Sequence, residues 1–151
     1  MIALERTYPA PPERIWELWT TAAGIESWWA PDGFRADVQQ IDVRPDGELH
    51  HSLTATGPEQ VAFMEGAGLP LTSHARKRFD EVDSPRRLVY TSFVDFVPGV
   101  EPYEQRTVVE LRPEGDGTRV VMQMEPMHDE EWTQRLVAGR TNELENLARV
   151  V

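Results

Sequence analysis

The segments that decide the fold read IALERTY at residues 2–8, PERIWELWT at residues 12–20 and AAGIESWW at residues 22–29. The first segment alternates apolar and polar residues, a pattern typical of a strand. Pro12 suits the first position of a helix, because the N–H that it lacks would have no partner there. The third segment predicts a second short helix from Ala22 to about Trp29, capped by Thr20 or Thr21.

Working outward, most of the remaining chain has the alternation of strands and predicts three hairpins. The predicted strand pairs are Phe34–Val43 with Glu48–Thr56, His74–Val82 with Arg87–Phe96, and Tyr103–Leu111 with Thr118–Glu125. Pro45-Asp46-Gly47 and Asp116-Gly117 are the strongest turn signals. The irregular segment at 57–71 carries large apolar residues and fits either a mobile flap or an added short helix, partly buried in both cases.

A long amphipathic helix is predicted to close the chain. Asp129 can cap a helix of about 22 residues, whose apolar stripe contains Trp132, Leu136, Val137, Leu144, Leu147, Ala148 and Val151. Arg135, Arg140, Glu143 and Glu145 fall largely off that stripe. The order β-α-α-β6-α predicts an α+β helix-grip fold in which a curved antiparallel sheet wraps around this helix. We expect a single domain over residues 1–151.

Composition limits the classes of partner. The chain has 26 acidic and 15 basic residues and a net charge of -11, which opposes binding to nucleic acid or to an anionic membrane. It contains no cysteine, so thiolate chemistry is excluded. The absence of a long apolar run and of a signal-peptide pattern predicts a cytoplasmic protein without membrane insertion.

Local motifs in this order resemble a known superfamily. They are APPERIWELWT at residues 10–20, the Trp28-Trp29 pair before Ala30-Pro31, DVRPDG at residues 42–47, DSPRRLVYT at residues 83–91 and EGDGTRV at residues 114–120. The chain resembles the SRPBCC superfamily, also called START-like or birch-pollen-allergen-like. Within it, the chain looks most like homologues of the C-terminal domain of the activator of heat-shock protein 90 ATPase. One departure is that Arg140 follows Gly139, where many members carry tryptophan.

The resemblance implies a space between the sheet and the closing helix, and the chain offers bulky side chains to line it. Methionines and aromatic residues adapt to irregular apolar ligands. The residues predicted to form the cavity are Trp28, Trp29, Phe34, His51, His74, Arg76, Tyr90, Phe93, Tyr103, Met122, Met124 and Trp132. His51, His74 and Arg76 are candidates for polar anchors. Each large side chain, taken alone, also fits ordinary core packing.

Three functions remain open at this point. The first is binding of a small hydrophobic or amphipathic molecule, with a homodimer left open. The second is a cyclase- or hydrolase-type enzyme, which would need two of His51, His74, Tyr90 and Glu110 within hydrogen-bond reach inside the cavity. The third is a co-chaperone-like partner of heat-shock protein 90. The sequence contains no recognisable catalytic set, metal site or cofactor motif, so none is predicted.

Overall fold

The computed structural model describes all 151 residues as one seven-stranded antiparallel sheet with four helices. The elements are β1 (Ile2–Tyr8), α1 (Pro12–Thr20), α2 (Ala22–Trp28), β2 (Phe34–Ile41), β3 (Glu48–Ala55), α3 (Pro58–Gly66), β4 (Thr72–Asp83), β5 (Arg87–Val94), β6 (Tyr103–Glu114), β7 (Gly117–Met124) and α4 (Glu130–Leu147). The strand order is β1-β7-β6-β5-β4-β3-β2, so β1 and β2 form the two edges. The predicted fold class is confirmed.

The core lies between the sheet and α1, α2 and α4. Inward-facing residues alternate with outward-facing ones along each strand, and the buried apolar set from the strands includes Leu49, Phe79, Leu88, Val109, Leu111, Val120, Met122 and Met124. At its centre, the Trp28 ring lies edge-on between Trp19 at 4.8 Å and Trp29 at 5.8 Å. The Trp28 Nε1 donates a hydrogen bond to the Leu18 carbonyl at 2.8 Å. The tryptophan-rich start of the chain therefore packs at the centre of the fold.

The two predicted turns are present, and each has a clear stereochemical basis. Asp46 has a φ of 69°, and a Cβ at Gly47 would collide with the carbonyl oxygen of Asp42. Only glycine fits such a close approach. In the last hairpin Glu114 pairs with Gly117, and Gly115 takes the positive φ of 59°. The turn thus lies one residue before the predicted Asp116-Gly117.

The segment at 57–71 forms the short helix α3, one of the two structures predicted for it. The predicted partial burial holds for Val61, Met64 and Leu71, which are half-buried, whereas Phe63 is 69% exposed and Leu69 is 48% exposed. Val61 and Met64 are i, i+3 neighbours on one face of the helix, and Phe63 lies on another face.

Helix α4 begins as predicted, since the Asp129 carboxylate accepts a hydrogen bond from the Trp132 N–H at 2.8 Å. It has 18 residues and buries Leu144 and Leu147. The prediction that Arg140 and Glu143 lie off the inner stripe was wrong: their side chains are only 18% and 16% exposed. Residues 136, 140, 144 and 147 recur at helical spacing, so they share one face. None of the four helices combines the length and apolar character needed to cross a membrane.

Candidate functional site

A cavity of about 290 Å³ lies between α4 and strands β3 to β6. It occupies the space predicted between the sheet and the closing helix. Its lining residues are Trp29, His51, Leu53, Ala75, Arg76, Lys77, Ser92, Phe93, Val94, Phe96, Gln105, Met127, Trp132, Arg135, Leu136, Arg140 and Glu143. The buried end is polar, whereas large apolar side chains dominate the exposed end.

Four ionisable side chains meet at the buried end, and we call them the buried polar cluster: His51, Lys77, Arg140 and Glu143. Residues two apart on a strand face the same side, so Lys77 points inward together with Ala75 and the core residue Phe79 on β4. His51 comes from β3 in the same way. Arg140 and Glu143 are i, i+3 neighbours on the inner face of α4.

Lys77 is the central cation of the cluster and is only 6% exposed. Its Nζ donates a hydrogen bond to the Ser92 hydroxyl at 2.9 Å and lies 5.6 Å from the ring centres of both Trp29 and Tyr90. Burial, with a smaller contribution from the charge of Arg140, lowers its pKa to about 7, although Glu143 acts in the opposite direction. Lys77 can therefore gain or lose a proton near neutral pH.

The second cation, Arg140, is neutralised by its helix neighbour. Its Nη1 donates to the Glu143 carboxylate at 2.6 Å. Burial alone would lower the pKa of the Arg140 guanidinium, but Glu143 and Tyr90 more than offset it, and the pKa lies above its ordinary value. Arg140 consequently stays charged. Its Nε is buried and has no hydrogen-bond partner.

His51 is a neutral ring held in the wall of the cavity. It lies at right angles to Trp29, with the ring centres 5.2 Å apart. Both ring nitrogens are buried without a partner, as is the Nε1 of Trp29. Burial, then the charges of Lys77 and Arg140, lowers the pKa of His51 to about 3.

This lowered pKa predicts acid sensitivity. The unfolded chain binds a proton at His51 below about pH 6.5, whereas the folded chain does not until about pH 3, so stability falls as the pH decreases between these values. We expect His51→Phe to reduce the loss of stability between pH 7 and pH 5 by about 2 kcal/mol. Urea denaturation at both pH values measures this loss. The matched variant at exposed His74, His74→Phe, should leave the loss unchanged, and an equal effect of both variants would contradict the assignment.

Two aromatic side chains lie at the exposed end of the cavity, and we call them the aromatic mouth: Phe96 and Trp132. Phe96 is 57% exposed, and its ring centre lies 6.1 Å from that of Trp132. Arg135 lies 4.8 Å from the Trp132 ring. The ring of Phe93, another lining residue, is on the outer face of the sheet, where Arg76 and Arg78 lie 4.2 Å and 5.7 Å from its centre. The cavity therefore has a polar inner end and an apolar outer end.

Of the residues predicted for the cavity, the structure brings five together in its lining: Trp29, His51, Arg76, Phe93 and Trp132. The others lie elsewhere. Met122 and Met124 are fully buried in the core, and Tyr90 is buried beside Lys77. Trp28 and Phe34 border a separate depression of about 380 Å³ near the C-terminus.

The remaining two predicted residues lie outside the cavity for identifiable reasons. His74 is exposed on the outer face of β4, because it alternates with the inward residues Ala75 and Lys77. The Tyr103 hydroxyl is engaged with the Nδ1 of His128 at 2.7 Å.

Sequence reasoning missed Lys77, Arg140 and Glu143. Signals for two of them were present. Lys77 is two residues before Phe79 on β4, so both side chains face the same side and the apolar residue already indicates that this side is inward. Arg140 is four residues from both Leu136 and Leu144, which places it on the apolar stripe in spite of its charge.

The four titratable residues considered for catalysis do not form a set. His74 and Glu110 are on the outer face of the sheet, and Glu110 pairs with Arg87 at 3.4 Å. His51 and Tyr90 face inward, but no hydrogen bond joins them; burial raises the pKa of Tyr90 to about 12. The arrangement required for the cyclase or hydrolase alternative is therefore not met.

Comparison with known proteins agrees with this helix-grip architecture. The family model described as Activator of Hsp90 ATPase homolog 1-like protein matches residues 9–151, and the chain belongs to that family. No curated protein matches at a significant level.

Several solved structures share the fold. Protein CV1439 from Chromobacterium violaceum is 23% identical, with 99% of this chain and 96% of that chain covered and a TM-score of 0.79. An AHSA1 protein from Silicibacter pomeroyi is 19% identical, with coverages of 98% and 94% and a TM-score of 0.75. Protein Ms6760 from Mycobacterium smegmatis is 19% identical, with coverages of 99% and 88% and a TM-score of 0.74.

Proposed function

We propose that the protein binds a small apolar or amphipathic molecule in the cavity between the sheet and α4. One observation carries the proposal: the buried end presents polar atoms that have no partner within the protein, namely Trp29 Nε1, Arg140 Nε and both ring nitrogens of His51. Buried polar groups in folded proteins are nearly always satisfied, and leaving one unsatisfied costs roughly 1–3 kcal/mol. A ligand that enters the cavity supplies the missing partners.

The outer part of the cavity supports the same proposal. Phe96 is exposed, and Trp132 and Leu136 are only partly buried. An apolar ligand body in contact with these side chains would remove their surface from water at a gain of roughly 25 cal/mol per Å². The volume of about 290 Å³ is close to the lower end of the range of roughly 300–1,000 Å³ for small-molecule sites. The proposed ligand is therefore small.

The proposal is tested by filling the cavity. Leu136→Trp puts an indole into the lining, whereas Ala138→Trp puts the same group on the exposed side of the same helix. A neutral solvatochromic dye should bind the unmodified protein and the Ala138→Trp variant. Its affinity for the Leu136→Trp variant should fall at least about tenfold, since the bulkier side chain occupies the space of the dye.

Circular dichroism checks that both variants keep the fold. If the dye fails to bind the unmodified protein, or binds the two variants equally, the cavity does not take apolar ligands. A surface interaction would then be the better explanation of the protein's role.

A further inference from the structure

The buried polar cluster carries more positive than negative charge. Lys77 and Arg140 supply two cations and Glu143 one carboxylate, and the carboxylate pairs with Arg140 at 2.6 Å. Lys77 forms no ion pair within 4 Å, and its only hydrogen-bond partner is the neutral hydroxyl of Ser92. A buried cation without an anionic partner is costly, and the cost falls when an anion enters. This excess of positive charge in the cluster is unexpected in a chain of net charge -11, where acidic residues are abundant.

The unpaired atoms in the cavity are mainly donors. Trp29 Nε1 and Arg140 Nε can only donate hydrogen bonds, and Lys77 has two further N–H groups besides the one directed at Ser92. A neutral His51 donates from one nitrogen. A ligand that accepts several hydrogen bonds at one end satisfies this set, as a carboxylate does with its two oxygens.

The choice of cation is also informative. The chain has 15 lysine and arginine residues in all. Lys77 is the only lysine, and the other 14 are arginines. Arginine cannot lose its proton in a protein, whereas a buried lysine can. The only side chain of this kind that can lose its proton therefore faces the cavity.

We propose that the ligand is a small amphipathic carboxylic acid, whose carboxylate lies against Lys77, Trp29 Nε1 and Arg140 Nε and whose apolar body extends to the aromatic mouth. This inference rests on the proposed binding function and specifies its ligand. A cationic ligand would be repelled by Lys77 and Arg140. A neutral alcohol would accept hydrogen bonds from some of these donors but would leave the charge of Lys77 uncompensated.

Binding should depend on pH through Lys77. The groups that face it are His51 on β3, Tyr90 on β5, and Arg140 and Glu143 on α4. An anion beside the ammonium raises the pKa of Lys77 above its value of about 7 in the free protein. The complex therefore takes up a proton above pH 7, so affinity is greatest at pH 5–7, where the ligand stays ionised, and falls as the pH rises through 7.

The test compares ligands with the same apolar body, namely octanoate, octanol and octylamine, as competitors of the neutral dye. At pH 6.5 octanoate should displace the dye at a concentration at least about tenfold lower than octanol, and octylamine should be the weakest. In the Lys77→Met variant the octanoate preference should disappear while octanol still competes. The control variant Arg86→Met removes an exposed arginine outside the cavity and should retain the preference.

A direct readout uses the single lysine. In protein labelled with ¹⁵N-lysine, saturating octanoate should shift the Nζ titration upward by about one pH unit or more, whereas octanol should not. Equal competition by octanoate and octanol overturns the inference and leaves the binding proposal intact. Persistence of the preference in Lys77→Met, or its loss in Arg86→Met, also overturns it. Failure of the neutral dye to bind counts instead against the binding proposal.

Discussion

Replacing Lys77 with methionine should stabilise the fold at pH 6.5 by on the order of 2–5 kcal/mol. The pKa of Lys77 falls from 10.5 to about 7 on folding, mainly because the side chain is buried. At about 1.4 kcal/mol per pKa unit, this difference corresponds to roughly 5 kcal/mol of cost for burying the charge. Methionine has a similar length and carries no charge, and it packs well between aromatic rings.

The sign of the pH dependence follows from the lowered pKa. Below about pH 7 the folded and unfolded chains are both protonated at Lys77, so the full cost applies. Between pH 7 and 10.5 only the unfolded chain keeps the proton, so the stability of the unmodified protein rises with pH and the advantage of Lys77→Met shrinks. Urea denaturation at pH 6.5 and pH 9.5 measures both values. Exposed Arg86 provides the control variant Arg86→Met, and no gain from Lys77→Met at pH 6.5 would show that the lysine is solvated.

Leu144→Ala should have an effect of similar size and opposite sign. Leu144 is 3% exposed and packs with the core residues of the sheet from the inner face of α4. Truncation removes buried methyl groups and leaves a cavity, which costs on the order of 2–5 kcal/mol. The control Glu145→Ala, at the exposed neighbouring position, should change stability by less than about 0.5 kcal/mol. A loss below about 1 kcal/mol for Leu144→Ala would contradict the packing of this helix face.

The sequence was sufficient to predict the strands, the turns and the closing helix, because each depends on local periodicity or on turn residues such as Gly47. It was not sufficient to show which apolar residues of the segment at 57–71 are half-buried, as Val61 and Met64 are, and which are exposed, as Phe63 is. Burial depends on whether a neighbouring surface is available, and the local pattern does not contain that information.

The candidate site was only partly predictable for a related reason. Large apolar residues were assigned to the cavity, but whether a strand residue such as Met122 lines a hole or fills the core depends on packing across the whole sheet. Lys77, Arg140 and Glu143 were not assigned to the cavity, since buried charges are rare. Lys77, Arg140 and Glu143 break that rule, and such violations of local consistency are expected at functional sites.

The pairing of β1 with β7 has a consequence for how the chain folds. Ile2 pairs with Met124, so the strand of this sheet that is synthesised first has its only partner in the strand that is synthesised last. Domains are synthesised from the N-terminus, and contacts between distant segments slow folding because the intervening loop must first be closed. Chains shortened before Gly117 would leave both β1 and the free edge of β6 unpaired. The sheet should therefore be completed only after β7 has left the ribosome, and nascent chains should present an exposed strand to chaperones until then.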